Sequence, residues 1–224
     1  MAPIGYAEMP IPRLQLLNEE GGVVREIPIE GEQLVVGRTA GDVTFDDDDA
    51  LSPEHALLTW RENALTVRDL GSANGSWLFI TTTQTLADGD VLLIGSQVVR
   101  FRRLPAPATG NTGDHRPAAP ARLPVVDDAM LEQLRPDGTI RNVLYLSPGR
   151  TFLIGREHGN WVFPYDPTMS ARHAEILSHP EDDTYAVRDL GSRNGVAVQV
   201  RGERGVRGGE RLLLGRKMLR VDLA

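Results

Sequence analysis

Short apolar runs separated by Gly, Asn or Asp dominate the hydrophobic pattern of this chain. In the first half they lie at residues 14–17, 23–29, 33–36, 56–60, 64–67, 91–93 and 98–101. Short runs of this kind, bounded by turn-forming residues, are typical of β-strands. No segment keeps the 3.6-residue period of an amphipathic helix. The pattern therefore predicts an all-β fold of antiparallel β-sandwiches.

One residue pattern occurs twice, with nearly constant spacing. The first copy reads Gly37-Arg38, then Ser52-Pro53-Glu54-His55, then Asp69-Leu70-Gly71-Ser72-Ala73-Asn74-Gly75. The second reads Gly155-Arg156, then Ser170-Ala171-Arg172-His173, then Asp189-Leu190-Gly191-Ser192-Arg193-Asn194-Gly195. The offset is 155 − 37 = 118 at the Gly-Arg pair and 194 − 74 = 120 at the Asn. Spacing this regular means that one domain is used twice.

The repeat also predicts where the domains begin and end. We expect a first domain at residues 13–104 and a second at residues 126–224. Residues 105–125 are rich in Pro, Ala, Gly and Thr and poor in large apolar side chains, which predicts a flexible linker. Residues 1–12 carry three prolines and are predicted to form a flexible tail.

Composition narrows the classes of partner and site. The net charge of −7 argues against nucleic acid or an anionic membrane as the main partner, since both select for Lys and Arg. The chain has no Cys, and its five His residues are scattered, so neither a zinc site nor any cofactor is expected. The acidic run at residues 46–49 lacks a calcium-loop pattern and is predicted to be a surface loop. With no apolar spanning segment or leader-like start, we expect a cytoplasmic protein without membrane insertion.

The repeated residues suit phosphate capture better than catalysis. A guanidinium supplies charge-assisted hydrogen bonds, a hydroxyl adds a donor, and loop backbone N–H groups complete an anion site. No acid and base recur beside the serine, so a nucleophilic mechanism is not indicated. Asn before Gly fits a tight turn and presents an amide that can bond a second chain's backbone.

At these residues the sequence resembles the forkhead-associated (FHA) family, whose β-sandwiches bind phosphothreonine peptides through loops at one end. The resemblance spans residues 14–104 and 131–223. It implies that the motif Arg and Ser contact phosphate, that the motif Asn holds the peptide backbone, and that the motif His braces the loops from inside. The implied binding residues are Arg38, Ser52 and Asn74, and Arg156, Ser170 and Asn194. The flanking Arg172 and Arg193 are added as candidates because their charge should attract a phosphate. The implied structural residues are Gly37, His55 and Gly75, and Gly155, His173 and Gly195.

Two departures from the family pattern affect the donors at the first site. The residue after the motif Ser, polar in some members, is Pro53 or Ala171, and the residue before the motif Asn, often Thr, is Ala73 or Arg193. The first copy also carries acidic residues between its motif Arg and motif Ser with no Lys or Arg in that stretch to balance them. We therefore expect the second site to bind phosphopeptides more tightly.

The resemblance implies a non-enzymatic adaptor that docks threonine-phosphorylated proteins in a Ser/Thr protein kinase pathway. Two linked sites would raise avidity for doubly phosphorylated partners. The alternative is a structural assembly module in which one or both copies bind unphosphorylated protein or self-associate. Loss of binding after phosphatase treatment of the partner would distinguish the first function from the second.

Overall fold

The structure, a computed structural model, describes residues 11–105 and 127–223. These residues form twenty β-strands and no helix, which confirms the all-β prediction. The strands of the first repeat are β1 (Arg13–Leu17), β2 (Val23–Pro28), β3 (Gln33–Gly37), β4 (Val43–Thr44), β5 (Ala56–Arg61), β6 (Ala64–Asp69), β7 (Ser76–Phe79), β8 (Gln84–Leu86), β9 (Val91–Ile94) and β10 (Gln97–Arg103). Those of the second repeat are β11 (Ala129–Leu134), β12 (Ile140–Leu146), β13 (Thr151–Gly155), β14 (Trp161–Val162), β15 (Ala174–His179), β16 (Thr184–Asp189), β17 (Val196–Gln199), β18 (Glu203–Val206), β19 (Arg211–Leu214) and β20 (Lys217–Asp222).

The chain folds into two compact units, and each unit takes strands from both repeats. The first unit combines residues up to Phe79 with those from Gln199 onward, and the second is Ile80–Val198. The last three strands of each repeat therefore complete the sandwich of the other repeat. We refer to this arrangement as the strand exchange.

The first unit is a sandwich of two five-stranded sheets. One sheet has the order β7-β19-β20-β1-β2, and the other has the order β18-β6-β5-β3-β4. The exchanged strands β19 and β20 lie between β7 and β1, paired through Leu213 with Trp77 and through Leu219 with Leu16. Exchanged β18 pairs with β6 at the sheet edge. The short pair β3–β4 is parallel, whereas β3–β5, β5–β6, β1–β2 and β19–β20 are antiparallel.

The second unit repeats this architecture with the strand sources reversed. Its sheets have the orders β12-β11-β10-β9-β17 and β14-β13-β15-β16-β8. Here β8, β9 and β10 come from the first repeat, with Phe101 opposite Leu131 and Leu93 opposite Ala197. The fold is thus two β-sandwiches, as the strand pattern predicts.

The compact units do not coincide with the predicted domain ranges of residues 13–104 and 126–224. Those ranges follow the order of the repeats along the chain, whereas the compact units exchange the segments after Phe79 and after Val198. The physical reason is that both copies offer the same strands in the same order, so each set of final strands fits either sandwich. The predicted tail (1–12) and linker (105–125) lie almost wholly outside the described residues.

Alternating burial explains why the exchanged strands belong to the cores. In β10, Val99 and Phe101 are fully buried while their neighbours face outward, and in β20 the same holds for Leu219 and Val221. Period-two alternation of this kind is typical of a strand with one face on the core. Burying each such side chain contributes roughly 1.5–3 kcal/mol. In the described part of the chain no helix is long and apolar enough to cross a membrane.

Candidate functional site

Three loops of the first repeat meet through hydrogen bonds centred on Ser52. The carbonyl of Ser52 accepts the backbone N–H of Arg38 at 2.8 Å, and its Oγ accepts the N–H of Ala73 at 3.0 Å. The Nδ2 of Asn74 donates to the carbonyl of Ala50 at 2.8 Å. The fold therefore brings Arg38, Ser52 and Asn74 to one group of loops. Because Ser52 Oγ accepts from the loop, its own O–H remains to donate.

His55 lies beneath these loops and is fully buried. Its Nδ1 accepts the N–H of Ser52 at 3.2 Å, and its Nε2 lies 3.1 Å from the carbonyl of Gly75. These partners assign the proton of the neutral ring to Nε2, which donates to that carbonyl. The ring thus ties the Ser52 loop to the Asn74–Gly75 turn. Burial lowers the pKa of His55, although the Gly75 carbonyl and nearby carboxylates oppose this shift.

The lowered pKa of His55 predicts a pH-dependent stability. The unfolded chain binds more protons than the folded chain below about pH 6.5, the ordinary pKa of His. The stabilisation is therefore complete above that pH and is lost as pH falls through the lower folded pKa. Urea unfolding of wild type and His55→Gln should give a difference in unfolding free energy that is smaller at about pH 5 than at about pH 7. A difference that grows toward acid would contradict this assignment.

Position 37 must be glycine because the backbone of the motif serine loop lies too close for a side chain. A Cβ built on Gly37 would lie 2.0 Å from the carbonyl oxygen of Pro53, and one on Gly155 would lie 2.3 Å from that of Ala171. These contacts are too short for any side chain. The repeated Gly-Arg therefore places the arginine where its strand touches the motif serine loop.

The second repeat reproduces the same bonds. The carbonyl of Ser170 accepts the N–H of Arg156 at 2.9 Å, and Ser170 Oγ accepts the N–H of Arg193 at 3.1 Å. Asn194 Nδ2 donates to the carbonyl of Thr168 at 2.7 Å. Buried His173 joins the N–H of Ser170 (3.0 Å) to the carbonyl of Gly195 (3.1 Å). The same arrangement of loops therefore occurs twice, once in each compact unit.

The turn that carries each motif Asn is held by an aspartate. Asp69 Oδ1 accepts the N–H groups of Gly71 and Ser72, and its Oδ2 accepts the hydroxyls of Ser72 and Ser76. Burial tends to raise the pKa of Asp69, but these hydrogen bonds outweigh it and the pKa is lowered. Asp189 makes matching bonds with the N–H and hydroxyl of Ser192. The turn is thus rigid before any ligand arrives.

The arginines of the two sites differ in their partners. Arg38 is half-buried and has no ion-pair partner within residues 11–105 and 127–223. Arg156 pairs with Glu157 at 2.9 Å, and both side chains are substantially exposed. Exposed pairs are worth about 0–1 kcal/mol, so a phosphate can displace Glu157 at little cost. Arg172 and Arg193 are exposed on the loops beside Ser170.

Three of the four residues of the acidic run at 46–49 are exposed, as predicted for a surface loop, but the fourth is buried and the run is partly balanced by cations. Asp48 is only 1 % exposed, and its Oδ2 accepts the N–H of Arg216 at 2.7 Å. Two further bonds, Lys217–Asp47 at 2.7 Å and Arg216–Asp49 at 2.8 Å, neutralise part of the run. The expectation of an unbalanced run was wrong because its cations lie at the far end of the chain and arrive by strand exchange. The recurrence of Asp48 as Asp166, four residues before each motif serine, is the sequence signal for a repeated buried carboxylate.

Comparison with known proteins places these loops in a family. The family model described as "FHA domain" matches residues 34–95 and 152–215, which together exceed half of the chain. The chain belongs to the FHA-domain family. It is a tandem FHA protein, as the resemblance implied. Each match spans strands of both compact units because the exchange begins after Phe79 and Val198.

Two of the similar solved structures are described as FHA domains, and the overall superposition is limited for all three reported. The FHA domain of CT664 from Chlamydia trachomatis is 25% identical, covering 37% of this chain and 86% of that one (TM-score 0.25). A structure from a study of phosphothreonine-dependent FHA domain interactions is 24% identical, covering 43% and 99% (TM-score 0.26). Mycobacterium tuberculosis EmbR in complex with a low-affinity phosphopeptide is 20% identical, covering 41% and 27% (TM-score 0.23). No curated protein gave a significant match.

Potential metal ligands do not cluster in the part of the chain that the structure describes. Within the described ranges no group of three or more His, Cys, Asp or Glu side chains could hold a metal ion. Buried His55 and His173 are each committed to two loop bonds.

Proposed function

We propose that this chain is a phosphothreonine-dependent adaptor with two docking sites, serving Ser/Thr kinase signalling. The observation that supports this most directly is the twofold convergence of Arg, Ser and Asn on one group of loops, through Arg38, Ser52 and Asn74 and again in the second repeat. A guanidinium and a hydroxyl donor together suit a phosphate of charge about −1.5 to −2. The Asn amide, with Oδ1 and one N–H remaining, suits a peptide backbone.

The same geometry supports binding rather than catalysis. A serine nucleophile needs a base within hydrogen-bond reach of its Oγ. His55 uses Nδ1 for the backbone N–H of Ser52 and Nε2 for Gly75, so neither nitrogen is available to that hydroxyl. We therefore assign no turnover to this chain.

A direct test uses the full chain and a phosphothreonine peptide library. The immobilised protein should retain phosphothreonine peptides from the library, and it should no longer retain them after the peptides are treated with phosphatase. Serine-phosphorylated peptides of the same composition serve as the control for threonine selectivity. Equal retention before and after phosphatase would refute the proposal.

We predict that the second site binds more tightly at low salt. Arg156, Arg172 and Arg193 surround it, whereas the first site retains exposed acids even after Arg216 and Lys217 are counted. The measurement is calorimetric titration of full chains carrying Arg38→Ala or Arg156→Ala, so that each reports one site. The difference in affinity between the two sites should become smaller as salt rises to about 1 M, where the Debye length is roughly 3 Å. Tighter binding by the first site at low salt would contradict the ranking.

A second candidate function is phosphate-independent self-association. Strand β12 lies at a sheet edge of the second unit and exposes Ile140, Val143 and Tyr145. Exposed apolar edge strands favour pairing with another chain. Sedimentation of unphosphorylated protein tests this function, because an assembly module would form oligomers that Val143→Lys disrupts.

A further inference from the structure

The strand exchange brings a tight turn from each repeat against the loops of the other. The turn of β19 and β20 is Gly215-Arg216, and that of β9 and β10 is Gly95-Ser96. Both glycines have positive φ, +58° and +60°, so their turns depend on glycine. A Cβ on Gly215 would meet Asp48 Oδ2 at 2.8 Å, and one on Gly95 would meet Asp166 Oδ2 at 3.0 Å. Each turn therefore packs directly on a buried aspartate of the other repeat.

In the first unit a chain of hydrogen bonds runs from this turn to the motif asparagine. The N–H of Arg216 donates to Asp48 Oδ2 at 2.7 Å, and the N–H of Ala50 donates to Asp48 Oδ1 at 3.0 Å. The carbonyl of Ala50 then accepts Asn74 Nδ2 at 2.8 Å. The carboxylate of Asp48 thus connects the end of the chain to the side chain that would hold a peptide.

The second unit contains the same chain of hydrogen bonds, with more donors to its aspartate. Asp166 Oδ2 accepts Ser96 N–H (3.0 Å), Ser96 Oγ (2.7 Å) and Gln97 Nε2 (2.7 Å). Its Oδ1 accepts the N–H and hydroxyl of Thr168, at 2.9 and 2.5 Å. The carbonyl of Thr168 in turn accepts Asn194 Nδ2 at 2.7 Å. Burial tends to raise the pKa of Asp166, but the hydrogen bonds from Gln97, Thr168 and Ser96 outweigh it and hold the pKa well below its usual range.

We propose that each docking site is completed by the other repeat: the Gly95–Gln97 turn positions Asn194, and the Gly215–Lys217 turn positions Asn74. Ser96 and Gln97 are then positioning residues for the second site, acting through Asp166 and Thr168 without touching the ligand. This inference rests on the proposed function for its effect on binding. Whether the turn of one repeat packs on the loops of the other is a property of the fold, and it can be tested without measuring binding.

Differences between the copies favour the exchanged pairing over the pairing within each repeat. In the exchanged register Arg13 lies opposite Asp222 and Met130 opposite Arg102. Pairing within each repeat would place Arg13 opposite Arg102, and like charges directly opposite each other destabilise a sheet. The exchange also places Arg216 and Lys217 on the acidic run, where pairing within each repeat would supply the neutral Ser96 and Gln97.

A polar cluster at the C-terminal end of β10 also favours the exchanged pairing over pairing within each repeat, independently of the charges described above. Arg103 pairs with Asp183 at 2.5 Å and Asp128 at 3.5 Å, and lies over the ring of Tyr185. The matching residue of the second repeat is Leu223, which packs on the apolar core of the first unit. Pairing within each repeat would put Leu223 beside these carboxylates and Arg103 against that core. Burying an unpaired charge or leaving a carboxylate without its partner is unfavourable.

Engineered disulfides test the sharing without any ligand. The natural chain has no Cys, so the pair Arg13→Cys and Asp222→Cys reports the exchanged register, and Met130→Cys with Asp222→Cys reports pairing within the repeat. Directly opposed strand positions lie within reach of a disulfide. In the monomeric fraction, mild oxidation should join residues 13 and 222 in the first variant and leave the thiols of the second free. A disulfide in the second variant and free thiols in the first would overturn the proposal.

A binding experiment tests the positioning role. Ser96→Ala with Gln97→Ala removes two side-chain donors to Asp166, and should weaken phosphothreonine-peptide binding by about tenfold when only the second site is active, in the Arg38→Ala background. Arg61→Ala, which loses an exposed ion pair on the first unit, is the control and should leave that affinity unchanged. If the Ser96→Ala, Gln97→Ala variant instead loses affinity in the Arg156→Ala background, where only the first site is active, then Ser96 and Gln97 serve their own repeat. That result would overturn the proposal. If wild type binds no phosphopeptide, the proposed function fails while the disulfide pattern still decides whether the sites are shared.

Discussion

Alanine at Arg38 and at Arg156 is expected to abolish phosphothreonine-peptide binding at the corresponding site, and the double variant is expected to bind none. Removing a hydrogen bond to a charged group costs about 1.5–3 kcal/mol, which is at least tenfold in affinity. Removing a guanidinium that forms two such bonds to phosphate would lower the affinity further. The backbone N–H of Arg38 already bonds Ser52, so the substitution removes the guanidinium while the loop contact remains.

Calorimetry on the full chain provides the measurement for the arginine variants. Arg61→Ala is a suitable control, because Arg61 is exposed, pairs with Glu32 and ends strand β5 away from the motif loops. It should bind peptide with wild-type affinity. Wild-type affinity in the Arg38→Ala, Arg156→Ala double variant would refute the phosphate assignment.

Replacement of His55 or His173 by Ala is expected to give the largest loss of stability among the motif substitutions. Each ring is buried and bridges a backbone N–H and a backbone carbonyl, at 3.0–3.2 Å and 3.1 Å. Truncation leaves both buried groups unpaired, at about 1–3 kcal/mol each, and adds a cavity. We expect a loss of at least about 2 kcal/mol for each variant.

Urea unfolding followed by circular dichroism checks the histidine prediction. His179→Ala is the matched control, since that ring is 42% exposed on β15 and should change stability by less than about 0.5 kcal/mol. Unchanged stability of His55→Ala together with lost peptide binding would instead place His55 in direct contact with ligand. Stoichiometric zinc in the purified protein would also contradict the structural role.

The sandwich fold and the grouping of the motif loops in each repeat could be predicted from the sequence, because each depends on local patterns. Alternating apolar positions such as Val99 and Phe101 indicate a strand wherever it pairs. The repeated Gly37-Arg38 and Gly155-Arg156, with the motif Ser and Asn at fixed offsets, indicate the loops. Bonds such as Arg38 N–H to the Ser52 carbonyl join residues of one repeat, so the repeated motif and the family resemblance were enough to group them.

The strand exchange could not be predicted in the same way. The final strands of the two repeats share one pattern, with Val99 and Phe101 matching Leu219 and Val221, so hydrophobicity does not decide which sandwich they complete. The choice depends on pairs far apart in sequence, such as Asp48 with Arg216. The count of acidic residues in the first motif stretch was correct, but it left out Arg216 and Lys217, which lie far away in sequence. The predicted order of the two affinities stays a prediction.

The most direct test of phosphothreonine docking at two sites is calorimetric titration of the full chain with one phosphothreonine peptide chosen from the library. The threonine and phosphoserine forms of the same peptide are the controls. Our account predicts saturation at two peptides per chain, weaker binding of the phosphoserine form, and no heat of binding with the threonine form. Binding of the threonine form as tightly as the phosphorylated one would contradict it.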